Sequence, residues 1–108
     1  MIDEELRQGT LVRFSYKKGE EEVGRVYLYI IHNGKHHRPY GLVEDLFVAE
    51  AHRGQGIGKN LMQSLMRRAM VENCYKLVAT SRRERTQVHA LYKELGFKPH
   101  GYEFRIDL

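Results

Sequence analysis

The chain has 108 residues, enough for one domain over residues 1–108 and too few for two. Hydrophobic residues make up 42% and charged residues 30%, and 18 Lys and Arg against 14 Asp and Glu leave a formal charge of +4, which suits a basic protein with an anionic partner. One cysteine, Cys74, excludes an intrachain disulfide and a cysteine zinc site, and no stretch approaches the ~20 apolar residues of a membrane span.

Met1-Ile2-Asp3-Glu4-Glu5 is acidic and has no apolar core, so a signal peptide is not expected and a cytoplasmic location is. Leu11 to Tyr16 alternates apolar and polar residues, the pattern of a half-buried strand. Lys17 to Glu20 reads as a turn, and Val23 to Ile31, rich in Val, Ile and Tyr, as a second strand. Asn33-Gly34 opens a loop that runs to Pro39, and a third strand spans about Leu42 to Val48. These three strands are expected to form an antiparallel meander.

Helical spacing follows. Ile57, Leu61, Met62, Leu65, Met66, Ala69 and Met70 recur on one face between Gly56 and Val71, and Asn73 is placed to end that helix. Lys76 to Thr80 reads as a short strand. Thr86 to Leu95 carries Val88, Leu91, Tyr92 and Leu95 on one helical face, with Gly96 as its terminator. Phe97 and then Glu103 to Ile106 are expected to complete the sheet. The order is β-β-β-α-β-α-β-β, an α+β fold with a mixed, mostly antiparallel sheet and flanking helices. The strands on either side of the first helix should be parallel.

The junction between the third strand and the first helix reads Arg53-Gly54-Gln55-Gly56-Ile57-Gly58-Lys59. A helix start exposes up to four unpaired N–H groups and the positive end of the macrodipole. Glycines there remove the Cβ atoms that would hold a phosphate away from those groups, and Arg53 and Lys59 add charge. The spacing differs from the G-x-G-x-x-G of dinucleotide folds, and no Gly-Lys-Ser or Gly-Lys-Thr completes a P-loop. A pyrophosphate is the simplest anion for this loop.

Val43-Glu44-Asp45-Leu46-Phe47-Val48 followed by Arg53-Gly54-Gln55-Gly56-Ile57-Gly58 resembles the acyl-CoA-binding core of the GNAT N-acetyltransferases. The run Arg85 to Phe97, with its Tyr92 and closing Gly96-Phe97, resembles the helix and turn that follow in that family. The close resemblance covers about Gly41 to Leu108. It implies acetyl-CoA as acyl donor, a primary amine, that of a small molecule, as acceptor, and direct attack in a ternary complex. It also implies a splayed strand pair that takes the pantetheine arm as a pseudo-strand. On that analogy the backbone of Leu46, Phe47 and Val48 would contact the arm, Arg53, Gly54, Gln55, Gly56, Ile57, Gly58 and Lys59 would hold the pyrophosphate, and Tyr92 would contact CoA.

Acyl transfer to an amine needs a base, a stabilised thioester oxygen and an acid for the departing thiolate. Glu44 is the candidate base or water-positioning group, with Asp45 as the alternative. Strict alternation would let one of the two face the substrate and would set Leu46 and Val48 on the face of Glu44. Tyr92 is the candidate acid, since a phenol titrating near 10 keeps its proton at neutral pH. Arg85 stands where many members carry asparagine, which leaves that contact open, and His89 could line the site. His32, His36 and His37 lack carboxylate partners at ligand spacing, so no metal is expected.

Members of that family usually place a strand and one or two helices ahead of the meander, often lining the acceptor pocket. Such helices are not expected here. A homodimer through the first three strands would cover the exposed sheet and could complete the acceptor site. The rival reading is a non-catalytic acyl-CoA sensor. A nucleic-acid partner is not expected, because no aromatic and basic residues interleave as RNA-binding motifs require.

Overall fold

The computed structural model describes all 108 residues. The elements are β1 (Thr10–Lys18), β2 (Glu21–Ile31), β3 (Tyr40–Val48), a single 3-10 turn at Glu50–His52, α1 (Ile57–Val71), β4 (Leu77–Ala79) and α2 (Thr86–Glu94). The sheet order is β1-β2-β3-β4. The first three strands pair antiparallel, and β4 runs parallel to β3 over Gly41–Val43.

The core follows from the two periodicities. Along β2, Val26, Leu28 and Ile30 are buried at period two, and Val23, Val43 and Leu46 join them. Ile57, Leu61, Met62, Leu65 and Ala69 form one stripe of α1 and close onto that surface. Each fully buried aliphatic side chain contributes roughly 1.5–3 kcal/mol of transfer free energy. Val12, Phe14 and Tyr16 of β1 extend the same layer at its edge, as do Leu91, Tyr92, Leu95 and Phe97 from α2 and the turn after it.

Both helices end in the same hydrogen-bond pattern. After α1, Asn73 takes a left-handed φ of 62°, Cys74 N–H donates to Ala69 C=O at 3.0 Å, and Asn73 N–H donates to Met70 C=O at 3.0 Å. After α2, Gly96 has φ 100°, Phe97 N–H donates to Tyr92 C=O at 2.9 Å, and Gly96 N–H donates to Lys93 C=O at 3.1 Å. These are Schellman terminations, and they satisfy carbonyls that the last turn leaves free. The sequence placed both terminators at those residues.

Two expectations need correction. No strand follows α2, so the order is β-β-β-α-β-α. Tyr102, Phe104, Ile106 and Leu108 alternate as an amphipathic strand should, yet all are more than four-fifths exposed. A strand exists only where another offers unpaired N–H and C=O groups. Here β4 is three residues long and Pro99 contributes no donor, so the segment from residue 98 onward finds no ladder within the chain.

The second correction concerns β3. Tyr27 pairs with Glu44 and Arg25 with Phe47, so Asp45 and Leu46 together face the single residue Val26. This is a β-bulge, with Asp45 at φ 54°. Aspartate tolerates that left-handed conformation better than most residues. The bulge shifts the alternation by one, so Leu46 enters the core while Glu44 and Asp45 share the opposite face of the sheet.

Candidate functional site

The two edges of β3 are unequal. β2 covers one edge along its length, whereas β4 covers the other only at Gly41–Val43. From Glu44 to Val48 no strand completes the second edge, so its backbone groups face a cleft. That cleft has a volume of about 510 Å³ and lies between β3 and the starts of α1 and α2. Leu46 and Val48 form one wall. His52, Arg53, Gly54, Gly56, Ile57 and Gly58 form the second, and Glu84 to Val88 with Leu91 the third.

Two helix N-termini therefore meet at one cavity, each with unpaired amides and a positive dipole end. Neither has a side-chain cap, and neither first turn contains an acidic residue. Gly56 is the residue before α1, at φ 80°, and Gly54 has φ 77°. No other group lies within 4 Å of where a Cβ would stand on either. The loop amides are open to an incoming anion, as a phosphate cradle requires. Gly58 serves packing instead: a Cβ there would stand 3.5 Å from Leu91 and 3.7 Å from Val48, so α1 begins close to both neighbouring elements. Arg53 Nε donates to Val48 C=O at 2.9 Å, tying the loop to the end of β3.

Gln55, Lys59, Tyr92 and the side chain of Phe47, whose backbone was the part expected at the arm, stand outside the cleft lining. Phe47 is on the opposite sheet face, where the Arg25 guanidinium lies 4.6 Å above its ring. The bulge at Asp45 puts it there. Gln55 turns outward and accepts a hydrogen bond from Lys18 at 2.5 Å. Lys59 pairs with Glu94 at 2.7 Å, so its charge is partly answered within the protein. Tyr92 packs between the core and the Phe97 ring, 5.2 Å away.

Tyr92 is nevertheless electrostatically coupled to the site. Burial pushes its phenol above the usual value of 10, the Arg85 charge pulls it down, and the Glu44 charge pushes it up. A phenol so placed keeps its proton at neutral pH and can donate it. Glu44 and Asp45 line an open depression of about 490 Å³ with Tyr27, Tyr29 and Leu42. The two carboxylates differ in their partners. Both Asp45 oxygens face Arg25, at 2.8 and 3.5 Å, whereas Glu44 makes no ion pair.

Several lining residues were not among those expected at the site. His52 presents a buried Nδ1 without a hydrogen-bond partner. Thr86, Gln87 and Val88 enter through the start of α2, and Tyr27 and Tyr29 through the open face of β2. His36 stacks on Tyr75 at 4.1 Å and on His37 at 5.3 Å, away from both cavities.

No helix is long and apolar enough to cross a membrane. The sequence model described as the acetyltransferase (GNAT) family matches residues 2–97. Glucosamine 6-phosphate N-acetyltransferase of Trypanosoma brucei brucei is 34% identical over 71 residues, 66% of this chain and 46% of that protein. The chain thus spans about half the length of that relative. Among solved structures, a proposed acetyltransferase of Agrobacterium tumefaciens superposes with a TM-score of 0.84 at 29% identity, covering 94% of this chain and 71% of that one. An acetyltransferase of Trypanosoma brucei does so with a TM-score of 0.79 at 30% identity, covering 91% and 69%. A strand edge left open beside a glycine-lined helix start, on a chain matched by the family over residues 2–97, places this protein in the GNAT acetyltransferase family.

Proposed function

We propose that the chain transfers an acetyl group from acetyl-CoA to a primary amine of a small molecule, by direct attack within a ternary complex. The observation that carries the reading is the open edge of β3 from Glu44 to Val48, facing the same cleft as Gly54, Gly56 and Gly58. The backbone of Leu46 and Val48 would hold the pantetheine arm as a strand would. Amides of the Arg53–Gly58 loop would hold the pyrophosphate, with Arg53 supplying charge.

In this reading Glu44 accepts the amine proton, directly or through water, because it is the carboxylate without an internal partner. Asp45 is held by Arg25 and shapes the depression. Tyr92 gives its proton to the departing sulfur, and its raised pKa keeps that proton available through neutral pH. The Trypanosoma relative named for glucosamine 6-phosphate makes an amino sugar phosphate the first acceptor to try.

Tyr92→Phe tests the acid. Turnover should fall about 10²-fold with acetyl-CoA affinity nearly unchanged. Wild-type turnover in the variant would return Tyr92 to a packing role. Binding of acetyl-CoA without turnover across a panel of amines would favour the sensor reading instead.

A cytoplasmic homodimer belongs to the same proposal. The outer edge of β1 is unpaired, Leu11 is about half exposed, and Tyr29 and Phe47 show comparable apolar surface on the open sheet face. Sedimentation equilibrium should give twice the chain mass, and a single species near 12.7 kDa would contradict the dimer.

A further inference from the structure

The charge of Arg85 is left unanswered by the protein. Arg85 is the residue before α2, at the positive end of that helix. It lines the cleft between the two helix starts. It makes no ion pair, although Glu84 lines the same cavity. Its one contact across the cavity is a long hydrogen bond, 3.5 Å from Nη2 to the Leu46 carbonyl on the open edge of β3. A positive charge at the positive end of a helix, bordering the cleft and without a carboxylate, is free to answer an anion that the protein itself does not supply.

Two anions could answer it: a phosphate, or the sulfur released during transfer. The position favours the sulfur. Arg85 reaches Leu46, at the middle of the open edge, whereas the phosphate loop follows the end of β3 and has its own arginine, Arg53. The charge of Arg85 also acts on Tyr92, the candidate proton donor to that sulfur.

We propose that Arg85 carries the leaving-group charge, stabilising the CoA thiolate in the cleft while the proton of Tyr92 reaches it. The proposal rests on the acetyl-transfer reading above. In that reaction the amine lone pair forms the new C–N bond and the C–S bond breaks with its electron pair on sulfur. Glu44 takes the amine proton and sulfur takes the phenolic proton of Tyr92, giving amide and thiol. The proton on Glu44 returns through solvent to the tyrosinate. Negative charge thus passes from sulfur to the phenolate, and Arg85 faces both stages.

The test reads the thiol and not turnover. CoA is bound to the wild type and to Arg85→Gln, Arg85→Lys and Tyr92→Phe, and the thiol is titrated by the ultraviolet absorbance of its thiolate. A neighbouring guanidinium lowers a thiol pKa, so Arg85→Gln should raise that of bound CoA by about one unit, roughly tenfold less thiolate at a given pH. CoA affinity should stay within about threefold, and Arg85→Lys should keep most of the effect. A wild-type titration in Arg85→Gln would overturn the proposal. So would a loss of CoA affinity with unchanged thiol acidity, which would make Arg85 a phosphate anchor. Wild-type turnover in Tyr92→Phe removes the phenol from the chemistry while the thiol shift still decides the case for Arg85. A wild-type protein that binds no CoA would overturn both readings.

Discussion

Replacing Gly56 by valine separates the conformational role of the loop from its binding role. Gly56 has φ 80°, and a Cβ placed there has no neighbour within 4 Å. The substitution therefore creates no clash inside the free protein. Its cost to folding is the left-handed conformation, roughly 1–2 kcal/mol for an L residue and at the upper end for a β-branched one. In a domain of this size each kcal/mol lowers the melting temperature by about 4–8 °C. Cofactor binding should suffer separately. The new side chain stands in the open space above the first amides of α1, where an anion must approach, and acetyl-CoA affinity should fall at least about tenfold, or ~1.4 kcal/mol. Gly19→Val is the control. Gly19 also has a positive φ, 63°, and open space around it, but it lies in the β1–β2 turn and lines neither cavity. It should lose similar stability and no cofactor affinity. Calorimetric titration with acetyl-CoA, beside thermal melts, gives both quantities. Equal dissociation constants for the two folded variants would refute the assignment of this loop.

Other consequences follow from single contacts. Arg13 donates to both oxygens of Glu22, at 2.6 and 2.7 Å, and with Ser15 lowers its carboxyl from the usual 4.5 to about 2. A depressed carboxyl contributes stability that is present above its ordinary value and lost as pH falls through the folded one. That contribution should therefore fade between about pH 4.5 and 2. An NMR titration of Glu22 near 4.5 in the wild type would contradict this, and Arg13→Gln should return it there. Gly41→Ala should destabilise the fold by about 1–3 kcal/mol, because the added methyl would stand 2.6 Å from Leu77 and 2.8 Å from Leu28. An unchanged denaturation midpoint would mean that β4 yields freely. Because burial raises the Tyr92 phenol, no loss of activity from its ionisation is expected until pH exceeds 10, and a limb attributable to Tyr92 near neutrality would count against its placement.

The parts of the fold that local chemistry specifies were legible in the residues. The alternation of β1, the Val, Ile and Tyr content of β2, the apolar stripe of α1 and the terminators Asn73 and Gly96 each act within a few residues of themselves. The glycine loop was legible for the same reason, since its function is carried by backbone. The bulge was not. Glu44-Asp45-Leu46-Phe47-Val48 alternates acceptably with or without one extra residue, and the difference appears only against Val26 on β2. It decides that both carboxylates share a face and that the Phe47 side chain points away from the cleft. The C-terminal segment failed in the opposite way. Its alternation is real, but pairing is a property of the neighbour, and β4 offers only three residues. Lys59 shows why charge near a helix start is a weak indicator of ligand binding. A long flexible side chain reached Glu94, 35 residues away, which no spacing rule connects to it.

The whole mechanism depends on acetyl-CoA lying along the open edge of β3, which a crystal structure of the protein with CoA would decide. That structure should show pantetheine amides hydrogen-bonded to the backbone between Glu44 and Val48, the pyrophosphate on the amides of residues 54–58, and the sulfur nearer to Tyr92 and Arg85 than to Arg53. CoA bound on another surface, or a complex in which Arg85 still holds the Leu46 carbonyl and nothing lies along that edge, would contradict this placement.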